Sequence, residues 1–391
     1  MQFPIIGKGG KASPSETTYM AVSMDATATD ATESHWLVPV SEACTLTAFT
    51  VSLQTAPGGA AKWVITIRKQ GTTNTAATVT IEGASKTATW TGSVEVAEGE
   101  TLSISVVPTG APAESPIGTS VVASTASGNF FVMGGVNGNA STSATNYHNP
   151  FLINVALVTG VEEGAVVIPG EFTAKKLYVR QSAASGSGKS YTYSALVGAT
   201  AALAVKIEGT SATTGSTSGE QAMTAGELLA IRIVPAGTPS LAHSAWCLSV
   251  KPTTPGQSFY GFGNPNQPSP TGTVYTYPIG TAASYNATEA ERPGYFPAAK
   301  IGPMYVKLAT APGAGKSRTL TIKDAGSATP VSVKIEGEAT AGNTPETATL
   351  AGDFNVVLAA SESGTPAVSS GVHLGFLVTT PQPSTMQAHV V

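Results

Sequence analysis

The chain repeats itself three times, and this constrains its fold more than any motif does. Phe3, Phe131 and Phe259 are each followed sixteen residues later by a tyrosine: Tyr19, Tyr147 and Tyr275. The step between copies is 131 − 3 = 128 and 259 − 131 = 128 residues. Lys62, Lys189 and Lys316 step by 127 and 127, as do Pro112, Pro239 and Pro366. The Ile-Glu-Gly triplets starting at Ile81, Ile207 and Ile335 step by 126 and 128. Independent landmarks that keep one register along the whole chain rule out chance. Solenoid units run to about 20–50 residues and cannot bury a core alone. A unit of about 127 residues has the size of a domain and buries roughly two-thirds of its unfolded surface. The chain therefore divides into three domains, 1–126, 127–254 and 255–391. The joins are short: copy one's last apolar run ends at Ser124, and the phenylalanine of copy two follows seven residues later.

Composition narrows the class. Only 11% of residues are charged, 42 are Gly and 26 are Pro, yet 41% are hydrophobic, so the chain can bury a core. A net charge of −4 argues against electrostatic binding to nucleic acid, which needs a basic face. No run of eighteen apolar residues exists, so no transmembrane helix is expected. Met1–Lys8 lacks the apolar core of a signal peptide. The chain is expected to stay where it is made or to leave without that signal.

Alternating or wholly apolar runs mark the strands of copy one at 19–24, 36–40, 46–53, 63–68, 77–81, 93–96, 102–107 and 119–123. Ile65 and Ile67 share one face of their strand, and Leu102, Ile104 and Val106 share one face of theirs. Turns carry Gly, Pro or Asn, and helical periodicity is absent. Eight antiparallel strands in such a unit point to an all-β, two-sheet jelly roll, used three times in tandem.

The chemistry-bearing residues are scattered. His35, His148, His243, His373 and His389 form no zinc spacing, and Cys44 and Cys247 occupy non-equivalent positions, so both cysteines read as buried thiols. His243 and His373 follow the Gly-Thr-Pro turns at corresponding places and read as structural. Ser185-Gly186-Ser187-Gly188-Lys189-Ser190 lacks the spacing of a phosphate-binding loop and leads into a strand. The expectation is no enzyme, no metal and no cofactor. Lys62, Lys189 and Lys316 recur with Glu82, Glu208 and Glu336, and could form three equivalent ion pairs or be solvated strand ends. Phe3, Tyr19, Phe131, Tyr147, Phe259 and Tyr275 are candidate anchors, either of each core or of faces between domains.

Before the penultimate strand each copy carries a small or acidic residue, Gly and an acid: Glu98-Gly99-Glu100, Ala225-Gly226-Glu227 and Ala351-Gly352-Asp353. This hairpin resembles the tumour-necrosis-factor/C1q-like jelly roll. The wider string, Ala311–Ile322 through Lys334–Gly337 to Gly364–Pro366 in copy three, resembles tandem repeats of virion structural proteins of tailed bacteriophages. Copy two departs at Leu196–Thr200, which lacks the charged strand end, and copy three departs at Phe354–Ala360, so the copies no longer do identical jobs. The resemblance implies trimerisation through aromatic faces, and three copies on short joins could close into a covalent pseudo-trimer or string out as a rod. It further implies a capsid decoration, cement or head-fibre protein, partnered by the major capsid protein or other virion proteins and assembled in the host cytoplasm. A tail fibre or tail-tip protein and a bacterial glycan-binding or adhesive surface protein are the alternatives, with a host surface glycan as a further possible partner.

Overall fold

The alternating residues of copy one turn inward: Ile65, Ile67, Leu102, Ile104 and Val106 are all fully buried. The computed structural model describes residues 2–25, 30–136, 138–154, 158–264, 272–279, 285–289, 294–367 and 371–379; His389 lies outside them. Copy one forms β1 (Gln2–Lys11), β2 (Thr18–Met20), β3 (Met24–Asp25), β4 (Val38–Pro39), β5 (Cys44–Leu53), β6 (Lys62–Lys69), β7 (Thr73–Glu82), β8 (Thr87–Val96), β9 (Thr101–Thr109) and β10 (Pro116–Thr125). Copy two forms β11 (Phe130–Val136), β12 (Asn146–His148), β13 (Leu152–Asn154), β14 (Val166–Val167), β15 (Phe172–Gln181), β16 (Gly186–Val197), β17 (Thr200–Gly209), β18 (Thr214–Met223), β19 (Leu228–Ala236) and β20 (Ser244–Pro252). Copy three forms β21 (Gln257–Asn264), β22 (Thr273–Thr276), β23 (Gly294–Phe296), β24 (Ala299–Leu308), β25 (Gly313–Asp324), β26 (Ser327–Gly337), β27 (Ala341–Thr344), β28 (Ala348–Leu350), β29 (Asp353–Ser363) and β30 (Val372–Thr379).

Each copy is a jelly roll. One sheet of copy one runs β1-β10-β5-β8, and the other runs β9-β6-β7 with β2 and β4 both pairing the free side of β9. The first strand thus lies beside the last and the second beside the penultimate, the winding that defines the fold. Copy two repeats this as β11-β20-β15-β18 and β19-β16-β17 with β12 and β14 on β19. Copy three gives β21-β30-β24 capped by β27 and β28, and β29-β25-β26 with β22 and β23 on β29. Against this all-β frame the one α-helix among the described residues is the single turn α1 (Val161–Gly164).

β1 is absent from the strands expected from the sequence. It pairs antiparallel with β10 from Gln2↔Ser124 to Lys11↔Pro116. Gly7 is required by close approach: a Cβ there would lie 2.4 Å from the Thr119 hydroxyl. The two runs at 19–24 and 36–40 become short pieces of one split jelly-roll strand, β2 and β4, with β3 leaving for another sheet. There β3 pairs in parallel with β1 and with β13 of copy two, so one sheet of copy one continues into one of copy two. One apolar core cluster extends through all three copies.

Candidate functional site at the seams between copies

The first strands carry the repeated phenylalanines, and all three are buried. Phe3 meets Phe131 edge to face with centroids 5.1 Å apart. Phe259 does not complete that pair. It is surrounded by copy two's Phe130, Phe151 and Phe172 at 5.6, 5.4 and 4.9 Å. Such pairs contribute about 0.5–1.5 kcal/mol each beyond the area they bury. The neighbouring Tyr260 donates its hydroxyl to the carbonyl oxygen of Pro4 in copy one. Burial pushes that phenol far above its ordinary range, so it remains a donor.

Around this centre, equivalent elements form three seams in cyclic order. β20 of copy two packs on β4 of copy one, β30 of copy three on β14 of copy two, and β10 of copy one on β23 of copy three. The ring therefore closes within one chain. At the first seam Cys247 Sγ lies 3.2 Å from Ser41 Oγ, Ser249 donates to Glu42 at 2.5 Å, and Lys176 pairs with Glu98. The His35 and His243 rings stack there at 4.4 Å. At the second seam His373 Nδ1 donates to the Ala165 carbonyl at 2.8 Å. A Cβ on Gly375 would fall 1.8 Å from the Val167 carbonyl oxygen. At the third seam the Tyr295 ring covers Gly118, where a Cβ would fall 2.1 Å from a ring carbon. Lys8 Nζ lies 3.3 Å above the Tyr277 ring centroid.

Both cysteines are free and buried. Burial pushes the Cys44 thiol up to about 12, with Glu42 adding to the shift, and pushes Cys247 higher still. His243 and His373 are not equivalent, correcting the sequence expectation. Ser244 and Val372 hold matching places opposite Val136 and Asn264, so His243 precedes its strand and His373 is the second residue of its own. Both nevertheless reach a neighbouring copy.

Tyr19, Tyr147 and Tyr275 make their backbone bridges within their own copies. Each is half-buried on the short second strand and bridges to Asp30, Val158 or Asn286. Of the two readings open for the recurrent lysines and glutamates, no Lys62–Glu82, Lys189–Glu208 or Lys316–Glu336 ion pair forms among the described residues. Strand register puts Lys62 opposite Glu82, but it puts Ser190 opposite Glu208 and Ser317 opposite Glu336. A shift of one position moves a side chain to the other face. Glu208 and Glu336 pair instead with Lys206 and Lys334, two residues earlier on the same face of the same strand.

Sequence reasoning missed the buried ion pair of copy three. Arg318 Nε lies 2.9 Å from Glu362 Oε1, with side chains 2% and 1% exposed. Arg318 also donates to the Ala367 carbonyl at 2.8 Å. Burial pushes the Glu362 carboxyl up, and Arg318 opposes that shift. Cross-strand register puts Trp63 opposite Pro108 and Tyr191 opposite Pro235 at the same place in copies one and two. Aligning Lys316-Ser317-Arg318 on Lys189-Ser190-Tyr191, which sets Arg318 on Tyr191, was the signal that could have revealed it.

No protein-family model matches the chain, and no curated protein matches it. Among solved structures, one from a report on the atomic structure of Sulfolobus turreted icosahedral virus aligns over 87% of this chain and 79% of its own. Identity is 12% and the TM-score is 0.21, a likeness that carries no weight in assigning this chain.

Proposed function

We propose that the chain is a non-enzymatic structural protein of a tailed-bacteriophage particle, assembled in the host cytoplasm and placed on the outer surface of the head as a decoration, cement or head-fibre protein. The closed ring of three jelly rolls supports this reading. Equivalent strands form each seam in cyclic order, so a single chain presents a three-fold-like base without oligomerising. Such a base matches the three-fold and quasi-three-fold positions of a capsid lattice, where the major capsid protein would be its partner. The resemblance of the repeats to virion proteins points the same way. The chain's reactive groups are also engaged in packing: the thiols are buried, and His373 holds a seam.

Antibodies raised against the protein and applied to intact particles test the proposal by immuno-electron microscopy. Label distributed over the head is expected. Label confined to the tail would favour a fibre or tail-tip role instead. Absence of the protein from purified particles by mass spectrometry would overturn both.

A further inference from the structure

One corner of the jelly roll is built differently in copy two. In copy one Glu33 and Arg68 pair at 2.7 Å, and the guanidinium lies 5.8 Å over Tyr19. In copy three Glu289 and Lys323 form the equivalent pair, with the ammonium 5.2 Å over Tyr275. The steps 33 to 161 to 289 are 128 residues each, and strand register aligns Arg68, Leu196 and Lys323. Copy two thus holds Val161 and Leu196 where its neighbours hold an acid and a cation. The next position changes too. Lys69, which pairs with Glu100 at 3.1 Å in copy one, becomes Val197, leaving Glu227 as the counterpart of Glu100.

Loss of these long charged side chains leaves a cleft of about 550 Å³ beside Tyr147, with Val161, Leu196 and Glu227 in its wall. Two cations also line it: Arg232 and, from copy three, Lys307. Arg232 stands where copies one and three carry Ser105 and Ala359, each opposite the repeated tyrosine. Its Nε is buried without a hydrogen-bond partner among the described residues. Leaving a buried charged donor unsatisfied is costly, and the fold holds this guanidinium in the cleft wall despite that cost. The volume lies within the range of small-ligand pockets, roughly 300–1,000 Å³.

We propose that this cleft binds a saccharide unit. A sugar ring has an apolar C–H face and a rim of hydroxyls. Tyr147 and Leu196 offer an apolar wall for the face. Arg232 and Lys307 can donate to the hydroxyls, and Glu227 can accept from them. Two cations against one carboxylate in this wall favour a ring that carries an acid group. The inference does not rest on the particle role proposed above, and the two stand or fall separately.

Saturation-transfer NMR on the full chain tests it, using glucose, galactose, N-acetylglucosamine and glucuronic acid as probes at millimolar concentration. Transfer to at least one sugar is expected, strongest for glucuronic acid; transfer to neutral sugars alone would still place a saccharide there and identify its kind. Tyr147→Ala and Arg232→Ser should each weaken binding about tenfold or more, a loss of about 1.4 kcal/mol. The double substitution Val161→Glu with Leu196→Arg rebuilds copy one's pair inside the cleft. It should abolish transfer while the melting temperature holds or rises, which separates occlusion from misfolding. Absence of transfer from every probe, or undiminished transfer in the double variant, would overturn the inference.

Discussion

Gly375 tests the seam between copies two and three with a single methyl group. The atom in its way is the Val167 backbone carbonyl, which cannot rotate aside as a side chain could. Gly375→Ala should therefore destabilise the chain by about 1–3 kcal/mol, the usual cost of overpacking, read from the urea midpoint. The buried Arg318–Glu362 pair offers a second test. Removing one partner strands the other charge in the core, so Glu362→Ala should cost about 3–5 kcal/mol. The paired replacement Arg318→Trp with Glu362→Pro installs copy one's solution and should recover most of that loss in the same denaturation assay. A result in which the pair costs as much as the single variant would mean the site is not equivalent to Trp63 and Pro108. The thiols complete this scale. Burial holds both protonated, so a thiol reagent at neutral pH should label neither Cys44 nor Cys247 until denaturant is added.

Strands were legible where burial imposes alternation on them. Ile65, Ile67, Leu102, Ile104 and Val106 announced two of them because each strand has one face in the core. β1 was not legible, because Gly7 is there for close packing against Thr119 of β10 and Gly9 against Met20 of β2, while in a linear string both look like turn residues. In copies two and three the recurrent lysines and glutamates do not face each other: which side chains are opposite depends on pairing register, and repeat spacing does not reveal it. Copy two's missing charge at Leu196–Thr200 was visible, yet its meaning required Val161, thirty-five residues away in sequence and in the same cleft wall in space. Charge pairing at this scale has a pH signature. Burial alone would raise Glu100, but the Ala97 amide and the Lys69 ammonium hold it below its ordinary value. A depressed carboxylate stabilises the fold above its unfolded value and loses that contribution as pH falls through the folded one. The melting temperature should therefore drop on acidification through and below about pH 4, and Glu100→Gln should flatten that drop while lowering the value at neutral pH.

At the scale of the molecule, the three copies either close on one another in solution or hang as a string. Short joins alone allow both. The seams decide for closure, because each copy touches both others through equivalent strands and the core runs unbroken between them. The buried phenylalanines at the centre would be stripped of cover in a rod, and exposing one large apolar side chain costs about 1.5–3 kcal/mol. Phe3, Phe131 and Phe259 would pay that together with Tyr260, whose hydroxyl would lose the Pro4 carbonyl. A compact 391-residue body has a radius of gyration near ~21 Å, and three domains end to end would be markedly larger. Small-angle scattering of the isolated protein should return the compact value and a single-peaked distance distribution with no long tail. Phe259→Ala should leave each sandwich's strands intact by circular dichroism but loosen the centre it shares with copy two, raising the radius or the fraction of extended molecules. An elongated profile from the unmodified chain would remove the three-fold base, and with it the structural reason for placing this protein over a three-fold position of a capsid.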